Sequence, residues 1–102
     1  MADAMIHDFL LGFIRILVLH YSEKQPIYGK EFHDILSGHG YEVSYGTLYP
    51  LFHTFEKKGY LECETRTVGG KVRKYYSITE LGRESLASAR DKSRELFEIL
   101  FP

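Results

Sequence analysis

Between Phe9 and Leu19 every residue except Gly12 and Arg15 is apolar. A surface helix shows one apolar stripe, whereas a helix that is apolar nearly all round has to be covered on more than one side. The spacing predicts such a helix over residues 5–21. A chain of 102 residues is one domain with a modest core, and it has little else to cover that helix. Either the helix is central, or a second subunit covers part of it. The far end of the chain favours the second arrangement. Thr79 reads as the N-cap of a last helix running to Phe101, along which Leu86, Ala89, Ser93, Leu96 or Phe97, and Leu100 recur about every 3.5 residues among charged neighbours. That narrow stripe has the look of a coiled-coil seam, too short to stand alone. It is expected to pack on the first helix of a second copy. Phe9, Phe13, Leu17, Leu86, Ala89, Leu96, Phe97 and Leu100 are the candidate dimer-interface residues. Aromatics among them could line a pocket for a planar ligand or simply be core.

Between these helices the pattern changes. Ser22 to Pro26 is a polar connection. Ile27 to Ser37 reads as a helix, with Ile27, Phe32, Ile35 and Leu36 inward, and Gly38-His39-Gly40 stops it. Tyr41 to Val43 is short and suits a strand stub. Ser44 then offers an N-cap hydroxyl to a central helix of about four turns. Its apolar stripe is Leu48, Leu51, Phe52 and Phe55, and it closes on Lys57, Lys58 and Gly59. Pro50 removes one backbone bond and presses on the carbonyl of Gly46. The helix therefore bends there or begins only at Thr47. Its outer face carries hydroxyls, aromatics and a few positive charges, a composition suited to a DNA groove. Two helices joined by a tight segment, the second with a polar outer face, make a helix-turn-helix.

A hairpin follows. Leu61 to Thr67 alternates with period two, Gly69-Gly70 forms a two-residue loop, and Val72 to Ile78 returns. If Val68 pairs with Lys71, Leu61 faces Ile78 and Cys63 faces Tyr76 on one apolar side. Arg66 then stands opposite Arg73 on the other side, and directly opposed like charges destabilise a strand pair. Either the pair awaits an anion, or Glu64, diagonal to Arg73, neutralises it.

Net charge is −1, so nothing global points to nucleic acid, but the distribution is uneven: residues 1–44 carry −3, 45–74 carry +3 and 75–102 carry −1. The single Cys63 rules out an internal disulfide and suits a reducing cytosol. The acidic start is unlike a signal peptide, and no apolar run looks long enough to span a bilayer. A cytoplasmic location is expected. Chemistry of a catalytic kind has no foothold: Cys63 has no spaced His and Asp partner, and there is no phosphate loop, carboxylate pair or zinc pattern. His33 and His39 are too loosely spaced for a shared metal. No metal and no cofactor is expected.

The element order helix, helix, helix, two-stranded wing, helix is a winged helix-turn-helix: α+β, mainly α, with N- and C-terminal dimerisation helices. Residues 1–78 would form the DNA-binding unit with its N-terminal helix, and 79–102 the dimerisation helix, in one structural domain. Four ordered motifs then become specific. Gly46-Thr47-Leu48-Tyr49-Pro50, Phe55-Glu56-Lys57-Lys58-Gly59-Tyr60-Leu61, Gly70-Lys71-Val72-Arg73-Lys74-Tyr75-Tyr76-Ser77-Ile78-Thr79 and Gly82-Arg83, with Tyr28-Gly29 upstream, resemble the PadR family of bacterial transcriptional regulators. The likeness covers Leu10 to Leu86. It departs where the family more often has leucine, at Phe52 and Phe55, and at the wing tip, Lys71-Val72. The resemblance implies a sequence-specific, homodimeric repressor of the smaller subgroup, released from its operator by a small aromatic ligand.

On that frame the candidate groove residues are Tyr45, Thr47, Tyr49, His53 and Thr54, with Ser44 at the helix start. Tyr49 has a second reading as core. None is an Arg, Asn or Gln, so a bidentate base contact is missing and discrimination should lean on DNA shape and water. Tyr28 and Lys30 are candidates for the phosphate backbone. Arg66, Lys71, Arg73 and Lys74 are the electrostatic contacts of the wing. The expected partners are double-stranded DNA with an inverted-repeat operator, a second copy of the chain, and an inducer. The rival reading is a winged-helix protein–protein interaction module without specific DNA binding. Such a module would have no reason to keep four wing cations.

Overall fold

Leu61 pairs with Ile78, Cys63 with Tyr76, Arg66 with Arg73 and Val68 with Lys71. The Gly-Gly loop thus sets the register its length implies. Gly69 and Gly70 have φ of 58° and 79°, the two positive values that a type I′ turn requires and that glycine takes without a Cβ penalty. The structure is a computed structural model and describes residues 3–102. Its elements are α1 (Ala4–Ser22), β1 (Ile27–Tyr28), α2 (Gly29–Gly38), α3 (Tyr45–Lys57), β2 (Leu61–Val68), β3 (Lys71–Ile78) and α4 (Glu80–Leu100).

The sheet has three strands in the order β1-β3-β2. Ile27 and Tyr28, expected to open the second helix, instead pair antiparallel with Tyr76 and Tyr75. Two residues are too short to show a period of their own, and Ile27, 2% exposed, is inward in either conformation. Residues 41–43 form no strand; the buried Val43 anchors that segment.

The core lies where the three inner helices meet the hairpin's inner face. Phe32 of α2 packs edge-on against Phe52 of α3 at 5.9 Å, and Phe52 stacks on Tyr76 of β3 at 4.7 Å. Ile14 and Val18 of α1, Leu48 of α3, Leu61 of β2 and Leu86 of α4 complete it. Each such side chain contributes roughly 1.5–3 kcal/mol by leaving water. Burial also pushes the Tyr76 hydroxyl up to about 12, and the Cys63 thiol beside it upward, in both cases chiefly through desolvation. A thiol held protonated is a poor nucleophile.

Three caps behave differently. Thr79 accepts from the Gly82 amide at 3.0 Å and donates to the Gly59 carbonyl. One side chain thereby starts α4 and ties it to the glycine (φ 83°) that follows α3. Asp3 caps α1 through the Met5 amide at 2.9 Å. Ser44 precedes α3, but its hydroxyl makes no cap bond and meets the Thr47 hydroxyl at 3.2 Å. α3 begins at Tyr45 with Pro50 inside it, so it does not wait until Thr47.

α1 has 19 residues and a mean hydropathy of 1.4 over an 18-residue window, enough in length and composition to cross a bilayer. The expectation that no apolar run reaches that length is therefore corrected. Its Ile14, Val18 and Leu19 nevertheless belong to the domain core. The molecule measures 51 × 36 × 21 Å, with a radius of gyration of 14.6 Å against about 13 Å for a compact domain of this length. The N-terminal half of α1 and the C-terminal half of α4 carry the uncovered surface.

Candidate nucleic-acid interface

The buried residues of α3 are Leu48, Leu51, Phe52 and Phe55. At 3.6 residues per turn the line opposite them runs through Gly46, Pro50, His53 and Lys57, and all four are exposed. Tyr45 and Tyr49 flank that line on one side. Tyr45 stacks on His33 of α2 at 4.6 Å and on Tyr49 at 5.7 Å, an aromatic ladder across the α2–α3 turn. Tyr49 is half exposed, so the reading that placed it in the core does not hold. Thr47 and Thr54 flank the opposite side. With Pro50, Arg15 and Leu11 they line a small hollow of about 160 Å³ facing α1.

Six of the twelve residues expected to contact DNA line a single cleft of about 390 Å³. Tyr28 comes from β1, Lys30 from the start of α2, Tyr49 and His53 from α3, and Arg73 and Lys74 from β3; Gly29, Val72 and Tyr76 complete its walls. The fold explains the convergence. β1 hands the chain directly to α2, which sets the amino end of that helix beside β3, while α3 lies across the hairpin's inner face. Gly29 keeps the contact close, because a Cβ there would come within 3.3 Å of the Tyr49 ring. Ser44, Tyr45, Thr47 and Thr54 lie outside the cleft. So do Lys71, at the wing tip, and Arg66, on the hairpin's outer face.

The cations are not equally available. Lys30 is bonded to Asp34 at 2.9 Å, which holds its ammonium above the ordinary range and the Asp34 carboxyl below. Arg66 donates to Glu64 at 3.1 Å. Of the two alternatives for the arginine pair, the one that paired Glu64 with Arg73 is therefore set aside: neighbours two apart on one strand share a face, and Arg73 lies over the Tyr28 ring at 4.6 Å. Among the described residues, Lys57, Lys71, Arg73 and Lys74 have no carboxylate within ion-pair distance. Lys57 was not among the expected contacts, although its spacing from Pro50 and His53 places it on the outer line.

At the other end of the molecule α1 and α4 enclose an apolar groove of about 560 Å³, lined by Phe9, Phe13, Ile16, Leu96, Phe97 and Leu100 among others. Phe9, Leu96, Phe97 and Leu100 are exposed, and Phe13, Leu17 and Ala89 are half-buried. Leu86 departs from the expected interface. At 0% exposure it is part of the protomer's own core, because the first two turns of α4 pack on α1 and β3, and it has no surface left to offer a partner. Met5, Ile6, Ile99 and Phe101 are exposed at this end as well; apolar residues at both chain ends were the available signal. No group of three His, Cys, Asp or Glu among the described residues is placed to hold a metal.

Comparison with known proteins agrees with this geometry. Residues 18–88 match the family described as transcriptional regulator PadR-like. The chain is 37% identical to the transcriptional regulator Rv3488 of Mycobacterium tuberculosis over 91 residues, which is 89% of this chain and 85% of that protein. Among solved structures it is similar to a PadR family transcriptional regulator from Eggerthella lenta, with a TM-score of 0.86, 31% identity, and coverage of 95% of this chain and 86% of that one. It is also similar to a PadR-like transcription factor from Bacteroides fragilis, with a TM-score of 0.81, 26% identity and 96% of each chain covered. These relatives are transcriptional regulators rather than enzymes, and the three-stranded winged fold is shared with them. The chain belongs to the PadR-like family of transcriptional regulators.

Proposed function

We propose that this regulator acts in the cytoplasm as a homodimeric repressor. Each protomer lays α3 into a major groove and its wing along the flanking phosphates. One observation carries the reading: Tyr49 and His53 of α3 share a cleft with Lys30, Arg73 and Lys74. A phosphate strand entering that cleft meets cations on one wall and a groove-facing helix on the other. Residues 79–102 serve as the dimerisation helix of a single domain, and the uncovered apolar faces of α1 and α4 are what a second copy would bury. Twofold symmetry makes the operator an inverted repeat with half-sites about ten base pairs, or a multiple, apart. The apolar α1–α4 groove, flanked by Phe9, Phe13 and Phe97, suits a planar aromatic inducer. Such a ligand would release the DNA by favouring a different spacing of the two α3 helices.

The test is a fluorescence-anisotropy titration against the upstream intergenic DNA at two salt concentrations with competitor DNA present. Tight, competitor-resistant binding is expected. Weak binding that salt abolishes would favour the interaction-module alternative.

A further inference from the structure

The hairpin's outer face, turned away from the core, carries Glu64, Arg66, Arg73 and Tyr75, and β1 adds Tyr28 beside Tyr75. Arg66 and Arg73 are directly cross-strand, so their charges oppose each other. The structure separates the two heads onto two rings. Arg66 Cζ lies 4.6 Å from the Tyr75 ring centre and Arg73 Cζ 4.6 Å from that of Tyr28, with the rings 5.3 Å apart and tilted by 52°. A guanidinium that meets a ring through its flat face keeps its N–H fork in the plane, available to an anion. Among the described residues the fork of Arg73 meets no carboxylate, although the Tyr75 hydroxyl beside it raises its pKa, whereas that of Arg66 gives one bond to Glu64.

We infer that Tyr28 and Tyr75 are positioning residues for DNA binding, each presenting one wing arginine to phosphate by holding its flat face, and that Glu64 is a competitor that occupies Arg66 until a phosphate replaces it. This inference rests on the wing reading above and gives Tyr28 a role through its ring rather than its hydroxyl. A stacked guanidinium has already lost most of the side-chain freedom that a phosphate contact would otherwise remove. Not having to order one such side chain on binding corresponds to a factor of about two to ten in affinity. Glu64 lowers the affinity for every duplex alike, because phosphate contacts carry no sequence information.

The experiment titrates a random-sequence duplex with the full chain by anisotropy and compares Tyr28→Phe, Tyr28→Leu, Tyr75→Leu, Glu64→Gln and Arg73→Ala. Thermal melts confirm that each variant is folded. Tyr28→Phe should bind like the parent. Tyr28→Leu and Tyr75→Leu should each weaken binding about two- to tenfold, and Glu64→Gln should tighten it. If Tyr28→Phe is as weak as Tyr28→Leu, the hydroxyl makes the contact and the positioning role is wrong. Unchanged binding by Glu64→Gln removes the competitor. If the leucine variants do not fold, weakened binding by Tyr28→Phe would still overturn the ring's role, and Glu64→Gln still tests the competitor. An Arg73→Ala variant that binds normally would overturn the wing reading itself. A weakened Arg73→Ala beside unaffected leucine variants would leave that reading intact and overturn only this inference.

Discussion

Gly82, in the first turn of α4, lies against the backbone of Tyr60. A Cβ built on it would overlap the Tyr60 carbonyl oxygen and stand 2.7 Å from Cγ1 of Ile78. The same Tyr60 carbonyl accepts the Thr79 amide at 3.0 Å, and the Thr79 hydroxyl accepts the Gly82 amide. The start of α4 is therefore pinned to the α3–β2 junction with no room for a methyl group. Neither the Tyr60 carbonyl, already bonded, nor Ile78, in the core, is free to move aside.

Gly82→Ala should accordingly destabilise the protein by roughly 3 kcal/mol, toward the upper end of overpacking costs. Denaturant unfolding at one fixed protein concentration checks this, since association would shift the midpoint. Gly38→Ala, on the exposed last turn of α2, is the control. Nothing lies within 4 Å of the Cβ that would be added there, and it should be neutral or mildly stabilising. Equal midpoints for the two variants would show that the α4 junction yields.

Leu86 and Leu100 lie on the same helix with opposite surroundings, one fully buried and the other 69% exposed. Leu86→Ala should cost about 2–5 kcal/mol in folding stability. Leu100→Asp should leave the protomer folded, because it removes no buried contact. If the exposed α1–α4 face joins two copies, Leu100→Asp should also produce monomers by light scattering. A Leu100→Asp protein that keeps its parent's mass in solution would place the interface elsewhere.

What was legible in the sequence follows from range. The hairpin register needed only the Gly69-Gly70 loop and alternation on either side, and the Thr79 cap needed only its neighbours. The buried set of α3 was readable from helical spacing. β1 was not, because its strand character comes from pairing with Tyr75 and Tyr76, more than forty residues away in the chain. Leu86 fitted a 3.5-residue seam, yet the seam crosses from the protomer's core to its surface partway along α4, and spacing does not record that crossing. The choice of Glu64 for Arg66 and of Tyr28 for Arg73 also depends on β1. The site residues fall in the same pattern: Tyr49 and His53 were visible on the helix, while their convergence with Arg73 and Lys74 required the sheet.

Glu23, the C-cap residue of α1, links that helix to α4. Its carboxylate accepts from Arg90 at 3.2 Å and lies 3.9 Å from Arg83, while its carbonyl accepts from Arg83; Arg90 also approaches His20 Nδ1 at 3.0 Å. The Arg90 hydrogen bond holds the Glu23 carboxyl below its ordinary value. A lowered folded-state value contributes stability that is present above the unfolded value and lost as pH falls through the folded one. Thermal midpoints measured from neutral pH down through the carboxylate range should therefore fall less steeply for Glu23→Gln than for the parent. Parallel curves would mean that the pair is solvent-screened to insignificance.

The cations that line the cleft differ in what they must give up to reach a phosphate. Among the described residues Arg73 and Lys74 have no carboxylate partner, whereas Lys30 must leave Asp34, to which it is bonded at 2.9 Å. Counterion release scales with the phosphates newly neutralised, with a slope close to one unit per contact. Arg73→Ala with Lys74→Ala should weaken binding to all duplex DNA and flatten the plot of log affinity against log salt by roughly two units per subunit. Lys30→Ala should flatten it by less, since Asp34 already neutralises much of that charge in the free protein. Anisotropy titrations across a salt series measure both slopes. An unchanged slope in the double variant would take the wing out of the interface. An equal loss per cation in Lys30→Ala would mean that the Asp34 bond is broken at negligible cost on binding.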